Sequence, residues 1–125
     1  MFDIRGKRVI ITGGAQGLGK EFARRLLQEG CLVCISDVDV AKGSETKSLF
    51  QKQFGLGDDG LCFVKCDVSI KAEWQELWDT AVKMLDGPID VLVNNAGLHP
   101  GVKSRVLHKR KSLQLSQIFN SIEGH

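Results

Sequence analysis

Short apolar runs alternate along the first three-quarters of the chain with segments whose apolar residues recur at helical spacing. An apolar run of strand length predicts a buried β-strand, and apolar positions three and four residues apart predict an amphipathic helix. Four strands are predicted, at residues 9–11, 31–36, 61–66 and 90–94. The helices between them have apolar positions at Leu18, Phe22, Leu26 and Leu27, at Val40, Leu49, Phe50 and Phe54, and at Trp74, Leu77, Trp78, Ala81 and Leu85.

This alternation predicts an α/β fold built on a parallel sheet. Each predicted strand is apolar along its length, as expected when helices cover both faces of a sheet. Right-handed crossovers then give the strand order 3-2-1-4, which is a Rossmann-type doubly wound sheet truncated after the fourth strand. Gly30 is expected to end the first helix, Ser69 to cap the third, and Gly87-Pro88 to break the chain before the last strand.

Composition limits the chain to one ordinary globular domain. Its 125 residues are 42% hydrophobic and 26% charged. A chain of this length and composition can form one hydrophobic core but is too short for two. No apolar run approaches the roughly 18 residues of a membrane helix, and residues 1–5 do not begin a signal peptide. We therefore expect a cytoplasmic protein without a membrane partner.

Charge is unevenly distributed along the chain. Residues 1–100 hold 12 Lys and Arg against 14 Asp and Glu, whereas residues 101–125 hold five Lys and Arg and one Glu. The basic run at 109–111 is compatible with nucleic-acid binding or nuclear import, but a single short cluster favours a solvated tail. We expect no nucleic-acid partner. Apolar positions in the tail allow a turn or two of amphipathic helix at Leu115, Ile118, Phe119 and Ile122.

A glycine-rich turn joins the first predicted strand to the first helix. From Thr12 onward, Gly13, Gly17 and Gly19 have the spacing T-G-x-x-x-G-x-G. Backbone N–H groups approach a diphosphate closely only where no Cβ intervenes, and a helix N-terminus adds partial positive charge. The turn therefore predicts a dinucleotide diphosphate site, the alternative being a tight turn without a ligand.

The same turn also matches the start of a P-loop, because Gly14 to Lys20 read G-x-x-x-x-G-K. A P-loop continues with a Ser or Thr whose hydroxyl binds Mg²⁺. Here the next residue is Glu21, and its carboxylate would place negative charge beside the phosphates. The nucleoside-triphosphatase class is therefore excluded.

Asp37 ends the second predicted strand, 24 residues after Gly13. At that place in a dinucleotide fold, a carboxylate accepts hydrogen bonds from the adenosine ribose hydroxyls and repels a 2′-phosphate. No Lys or Arg lies between Gly13 and Gly19 to attract such a phosphate. NAD is therefore favoured over NADP. Asp37 is also placed to cap the helix at 40–54, and the two roles can coexist.

The cysteines suggest a zinc site, because Cys31-x-x-Cys34 and Cys62-x-x-x-Cys66 fall on neighbouring predicted strands. Successive strand side chains point to opposite faces, so Cys31 and Cys34 cannot ligate one ion in a regular strand. Inert buried thiols are the expected state in a reducing compartment. We expect no metal.

Four motifs in order resemble the short-chain dehydrogenase/reductase family over about residues 5–98. The motifs are Thr12 to Gly19, Asp37, Cys66-Asp67-Val68 and Asn94-Asn95-Ala96-Gly97. Within the family, the chain is most similar to the NAD-dependent 15-hydroxyprostaglandin dehydrogenase-like group. The resemblance implies a Rossmann fold and NAD-dependent oxidation of a secondary alcohol, such as a 15-hydroxyprostaglandin or a similar hydroxylated lipid.

The resemblance also implies roles for individual residues. It assigns the ribose to Asp37 and Val38, and adenine to Asp67 and Val68 beside Cys66. Asn94 is expected beside the cofactor, with residues 95–97 bracing the central sheet. The diphosphate is assigned to the glycine turn, at Gly13, Gly14, Ala15, Gln16, Gly17, Leu18 and Gly19.

The chain departs from the family pattern in its catalytic residues. The family uses a Tyr as general acid/base, a Lys four residues later and a Ser that orients the substrate. This chain has no Tyr and ends 28 residues after Gly97. We therefore assign no catalytic residue and expect an inactive NAD-binding half-domain at 1–100.

Residues 101–125 do not match the family pattern, and we expect them to come from alternative splicing, a frameshift or an incomplete gene model. The strand at 90–94 should then lie on an open edge, and the family's homodimer interface should be missing. The alternative function is a non-catalytic module that binds NAD(H) or a partner.

Overall fold

The computed structural model describes residues 3–96, together with the backbone of residues 105–108 and 111–114. Its strands are β1 (Arg8–Thr12), β2 (Leu32–Asp37), β3 (Leu61–Lys65), β4 (Val91–Asn94), β5 (Arg105–His108) and β6 (Lys111–Gln114). Its helices are α1 (Gly17–Gln28), α2 (Val40–Phe54) and α3 (Lys71–Met84). None of the helices in these described ranges is long and apolar enough to cross a membrane.

The parallel part of the sheet has the predicted order. β1 pairs in parallel with β2 and with β4, and β2 pairs in parallel with β3, which gives 3-2-1-4. Each of these strands is apolar along most of its length, because both of its faces are covered. The predicted fold class is confirmed.

The sheet does not stop at β4, and the prediction of an open edge there is wrong. β5 pairs antiparallel with β4, from Val91 opposite His108 to Asn94 opposite Arg105. β6 pairs antiparallel with β5 and forms the outer strand. Only residues 109 and 110 separate the two strands in sequence, which is a usual hairpin length. The predicted helical turn at 115–122 lies outside the described residues.

The alternation of strand side chains divides the core into two layers. On one face, Phe22 and Leu26 of α1 and Phe50 of α2 pack against the sheet. On the other, Leu77 and Ala81 of α3 do so. The strands contribute Val9, Ile11, Val33, Ile35 and Val93 to the first layer and Ile10, Cys34, Cys62 and Leu92 to the second.

The buried side of α2 differs from the predicted one. Val40 and Leu49 were expected to face the core, yet they are 51% and 48% exposed. The helix instead buries Gly43, Thr46 and Phe50, which lie on one face at helical spacing. Leu18 of α1 is likewise exposed, at the first turn of its helix.

Two helix caps differ from those considered in the sequence. Asp39, and not Asp37, is the N-cap of α2, and its side chain accepts a hydrogen bond from Lys42 N at 2.9 Å. The N-cap of α3 is Ile70, whereas Ser69 was expected. The Ser69 hydroxyl is used elsewhere, since it donates to Asp67 Oδ1 at 2.7 Å.

Candidate functional site

A cavity of about 550 Å³ lies at the carboxyl ends of the parallel strands. In doubly wound sheets this is the edge where ligands bind, next to the point where the strand order reverses. Here the reversal occurs at β1, which lies between β2 and β4. The lining residues are Gly13, Gln16, Asp37, Val38, Cys66, Asp67, Val68, Ser69, Asn95 and Ala96.

The glycine turn forms one wall of this cavity. Gly13 has a φ of +65°, and a Cβ there would lie 3.1 Å from the Cα of Ala96. The first intrahelical bond of α1 joins Lys20 N to Gln16 O at 3.3 Å. The N–H groups of Gly17 and the next two residues precede that bond and therefore have no acceptor within the helix. They provide donors for an anion at this wall.

The turn is tied to the end of β4 through Thr12. Its buried hydroxyl accepts hydrogen bonds from Asn95 N at 2.9 Å and from Ala96 N at 3.0 Å. The Asn95 side chain returns to the turn, because its Nδ2 donates to Gly13 O at 3.2 Å. These bonds fix the cavity walls at the ends of β1 and β4 relative to each other.

The Asp37 carboxylate is held at the end of β2 by two backbone donors. Oδ2 accepts from Ala15 N at 3.2 Å, and Oδ1 accepts from Asp39 N at 3.1 Å. The residue is 9% exposed and lines the cavity, while the adjacent Val38 is 59% exposed. The carboxylate thus has a fixed orientation in the cavity wall and retains lone pairs for a ligand hydroxyl.

A second carboxylate, that of Asp67, lines the same cavity. The Ser69 hydroxyl donates to it at 2.7 Å and Ser69 N at 3.0 Å, and these bonds lower the pKa of Asp67. Asp67 N in turn donates to Glu73 Oε1 at 3.0 Å, which fixes the loop to α3. Among the described residues that line the cavity there is no Lys or Arg. This side of the cavity therefore disfavours an additional phosphate.

Cys66 also lines the cavity, and it is buried. Burial raises the pKa of its thiol, so the sulfur is protonated and unreactive near neutral pH. Its backbone N–H donates to Asp37 O at 3.2 Å. Cys66 therefore contributes surface and position to the cavity and does not act as a nucleophile.

The other cysteines are divided between the two core layers, as strand alternation predicts. Cys31 lies in the layer of α1 and Cys34 in that of α3. Burial raises the pKa of Cys31 to about 12. In the part of the chain that the structure describes, no three Cys, His, Asp or Glu side chains are grouped to hold a metal ion.

Some of the predicted site residues lie outside the cavity lining. The exposed Asn94 has its side-chain Oδ1 3.2 Å from the hydroxyl of Thr12. Asn95 and Ala96, which were expected only to brace the sheet, are the lining residues at this end of β4. The remaining predicted residues are on the turn and on the first turn of α1 and are not part of the lining, at Gly14, Ala15, Gly17, Leu18 and Gly19.

Two contributions were missed in the sequence. Ser69 lines the cavity and orients Asp67, although it reads as a helix cap. Thr46 of α2 donates from its hydroxyl to Ala15 O at 2.7 Å and is 2% exposed. Because Thr46 is polar, it gives no hydrophobic signal. Its spacing from Gly43 and Phe50 nevertheless places it on the buried face of the helix.

The chain is similar to known dehydrogenases throughout this region. The sequence profile of the family described as short chain dehydrogenase matches residues 7–121. The chain is 39% identical over 98 residues to 15-hydroxyprostaglandin dehydrogenase [NAD(+)] of Homo sapiens, which covers 77% of this chain and 35% of that protein. It thus spans about a third of the length of this curated relative.

Solved structures give the same result. A short chain dehydrogenase from Mycobacterium smegmatis superposes with a TM-score of 0.70 at 37% identity, over 81% of this chain and 40% of that one. A short chain dehydrogenase/reductase from Burkholderia phymatum in complex with NAD has a TM-score of 0.64 at 30% identity, over 70% of this chain and 30% of that one. The similarity therefore covers both the fold and the sequence of the cavity-bearing part.

Proposed function

The chain belongs to the short-chain dehydrogenase family, and on that basis we propose that it binds NAD(H) in the cavity at the carboxyl ends of β1 to β4. We further propose that this NAD site serves the oxidation of a secondary alcohol, such as a 15-hydroxyprostaglandin or a similar hydroxylated lipid, in the cytoplasm. When bound, NAD supplies the hydride acceptor. The 125 residues contain no Tyr, so we propose that this chain does not complete the reaction by itself.

The orientation of Asp37 is the single observation that carries this proposal. A carboxylate fixed by Ala15 N and Asp39 N at the end of β2 is placed to accept the hydrogen bonds of a ribose diol. A 2′-phosphate at the same place would meet the charges of both Asp37 and Asp67 without a compensating cation in the lining. The unphosphorylated ribose of NAD fits this wall.

The glycine turn fits the diphosphate of the same cofactor. Gly13 and Gly19 are places where a Cβ would meet other backbone atoms, so the turn is compact, and the N–H groups of Gly17 and the next two residues have no acceptor within the helix. With the diphosphate on the residues from Gly13 to Gly19, the ribose reaches Asp37 and Val38. Adenine is then assigned to the wall of Cys66, Asp67 and Val68, and the other end of the cofactor to the side of Asn94.

The Asp37 assignment predicts a measurable cofactor preference. The wild-type chain should bind NADH about ten to a hundred times more tightly than NADPH, because the charge-assisted bonds and the repulsion amount to roughly 1–3 kcal/mol. In Asp37→Ala, both contributions are lost and the two affinities should converge. Titration followed by NADH and NADPH fluorescence measures both dissociation constants.

Asp39→Ser is the matched control for this comparison. It removes a neighbouring negative charge and keeps an N-cap for α2, so the preference for NADH should remain. Equal affinities for NADH and NADPH in the wild-type chain would contradict the role of Asp37. Absence of binding by a folded wild-type chain would contradict the proposed NAD site itself.

A second function is a non-catalytic module that binds NAD(H) or a partner chain. The observation that favours it is the absence of Tyr from the 125 residues. Both functions predict that this chain by itself binds NADH without turnover, so turnover by the purified chain would contradict both.

A further inference from the structure

We propose that Thr46 is a positioning residue that holds the glycine turn in its ligand-binding shape and, through the turn, orients the Asp37 carboxylate. The proposal rests on the proposed function, because the purpose of this orientation is NAD binding. Thr46 does not line the cavity, and it acts on the site from α2.

Ala15 links the helix to the carboxylate. Its carbonyl oxygen accepts the hydrogen bond of the Thr46 hydroxyl at 2.7 Å, and its N–H donates to Asp37 Oδ2 at 3.2 Å. Ala15 is 1% exposed and Thr46 is 2% exposed. One buried residue is therefore bound at both of its backbone polar groups, by α2 on one side and by the end of β2 on the other.

The same bond fixes the direction of the next amide. In a planar trans peptide, the N–H of Gln16 points opposite to the carbonyl of Ala15. The Ala15 carbonyl points to Thr46, and the Gln16 amide therefore points away from α2. Gln16 lines the cavity and is the N-cap of α1. Thr46 thus sets the orientation of a donor that lies at the diphosphate end of the site.

Packing of α2 brings the hydroxyl within reach of the turn. Gly43, one turn before Thr46, lies so close to the Phe63 ring that a Cβ at this position would overlap it. Phe50, one turn after Thr46, is 2% exposed in the core layer of α1 and α2. These two contacts fix α2 against the sheet, and Thr46 is the polar residue between them on the buried face.

The bond is expected to matter because neither partner has access to bulk water. Without the Thr46 hydroxyl, the buried carbonyl of Ala15 would lose its partner, a change that favours rotation of the peptide. Rotation of this peptide turns the Gln16 amide and changes the backbone torsions at Ala15, and we expect the resulting shift of the turn to lengthen the bond from Ala15 N to Asp37 Oδ2, one of the two backbone donors to that carboxylate. The site would then bind NADH more weakly and would discriminate less between NADH and NADPH.

Three variants test the proposal. Thr46→Val keeps the shape and removes the donor, Thr46→Ser keeps the donor, and Thr80→Val makes the matched change on α3, away from the cavity. We expect Thr46→Val to weaken NADH binding about tenfold and to narrow the preference for NADH over NADPH. Thr46→Ser should restore both quantities, and Thr80→Val should change neither. A general loss of stability would not alter the ratio of the two affinities.

Amide hydrogen exchange gives a second reading that needs no cofactor. In Thr46→Val, the Ala15 amide should exchange about ten times faster, because its bond to Asp37 loosens. The Gly14 amide, which donates to Ser36 O at 3.1 Å, should keep its rate. Thr46→Ala replaces the valine variant if the latter does not fold.

The outcomes separate this proposal from the proposed function. An unchanged NADH/NADPH ratio in Thr46→Val, an unchanged Ala15 exchange rate, or a serine variant as impaired as the valine variant would each overturn the role of Thr46. If the folded wild-type chain binds no NADH, the proposed function fails. The exchange rate of Ala15 then decides alone whether Thr46 orients the turn.

Discussion

NAD reduction by the purified 125-residue chain is expected to stay at the level of the buffer blank with secondary alcohols, 15-hydroxyprostaglandins included. Oxidation of an alcohol requires a base that takes the hydroxyl proton as the hydride leaves, and positioned acid–base catalysis contributes about 10²–10⁴-fold in rate. The family's base is a Tyr, and the chain contains none.

Among the described residues that line the cavity, Asp67, Cys66 and Ser69 are not suited to replace this base. The pKa of Asp67 is lowered by its bonds from Ser69, which makes its carboxylate a weak proton acceptor at neutral pH. The pKa of the Cys66 thiol is raised by burial, so this group holds its own proton. The Ser69 hydroxyl is already a donor to Asp67. None of these side chains is poised to accept a proton near pH 7.

The measurement is the rate of NADH formation, with human 15-hydroxyprostaglandin dehydrogenase assayed in parallel as the positive control. A chain that binds NADH but shows no turnover would agree with both proposed functions of this polypeptide. Turnover that follows the chain through successive purification steps, and that is lost in a variant unable to bind NADH, would contradict the prediction.

The parallel sheet could be predicted because its strands leave a strong signal. Residues such as Ile10 and Ile11 are apolar at adjacent positions, which is typical of a strand covered on both faces. Connections through helices then restrict the handedness and the order. The place of Asp37 followed from the same geometry, since the carboxyl end of β2 adjoins the glycine turn.

The contacts of α2 could not be predicted from hydrophobicity. Gly43 and Thr46 are its buried positions beside Phe50, whereas the apolar Val40 and Leu49 are exposed. Gly43 is buried because the helix approaches Phe63 too closely for a side chain. Thr46 is buried because its hydroxyl has a partner in the turn. Both reasons are tertiary and leave no periodic apolar pattern.

The β5–β6 pairing was missed for a different reason. Its segments carry Arg105, His108 and Lys111, and such a concentration of charge in residues 101–125 predicts a solvated tail. Backbone hydrogen bonds to an available strand edge do not require an apolar sequence. β4 offered such an edge, and β5 pairs with it along all four residues.

Gly19→Ala is expected to weaken NADH binding by at least about a hundredfold. A Cβ at this position would overlap the carbonyl oxygen of Gly13 and lie 2.7 Å from Asn95 Nδ2. The first contact is with backbone, which cannot move without displacing the turn. Loss of two charge-assisted bonds from the turn to a diphosphate, at about 1.5–3 kcal/mol each, is sufficient for this decrease.

Gly19→Ala should be less stable than the wild-type chain, although alanine has a higher helix propensity than glycine. Alanine in place of a helical glycine ordinarily stabilises by about 1 kcal/mol. Here overpacking costs about 1–3 kcal/mol, and displacement of Asn95 also sacrifices its bond to Gly13 O, worth about 0.5–1.5 kcal/mol. The costs exceed the gain, so urea unfolding should show a net loss of about 0.5–3.5 kcal/mol.

Gly57→Ala is the matched control, because the nearest atom to its Cβ would be Asp59 Oδ1 at 3.3 Å, on an exposed side chain that can move. This variant should keep both the unfolding free energy, within about 0.5 kcal/mol, and the NADH affinity. Wild-type binding by Gly19→Ala would show that the turn accommodates a side chain at this position. A compact turn would then not be required to position its N–H groups, and the diphosphate would have to be bound elsewhere in the cavity.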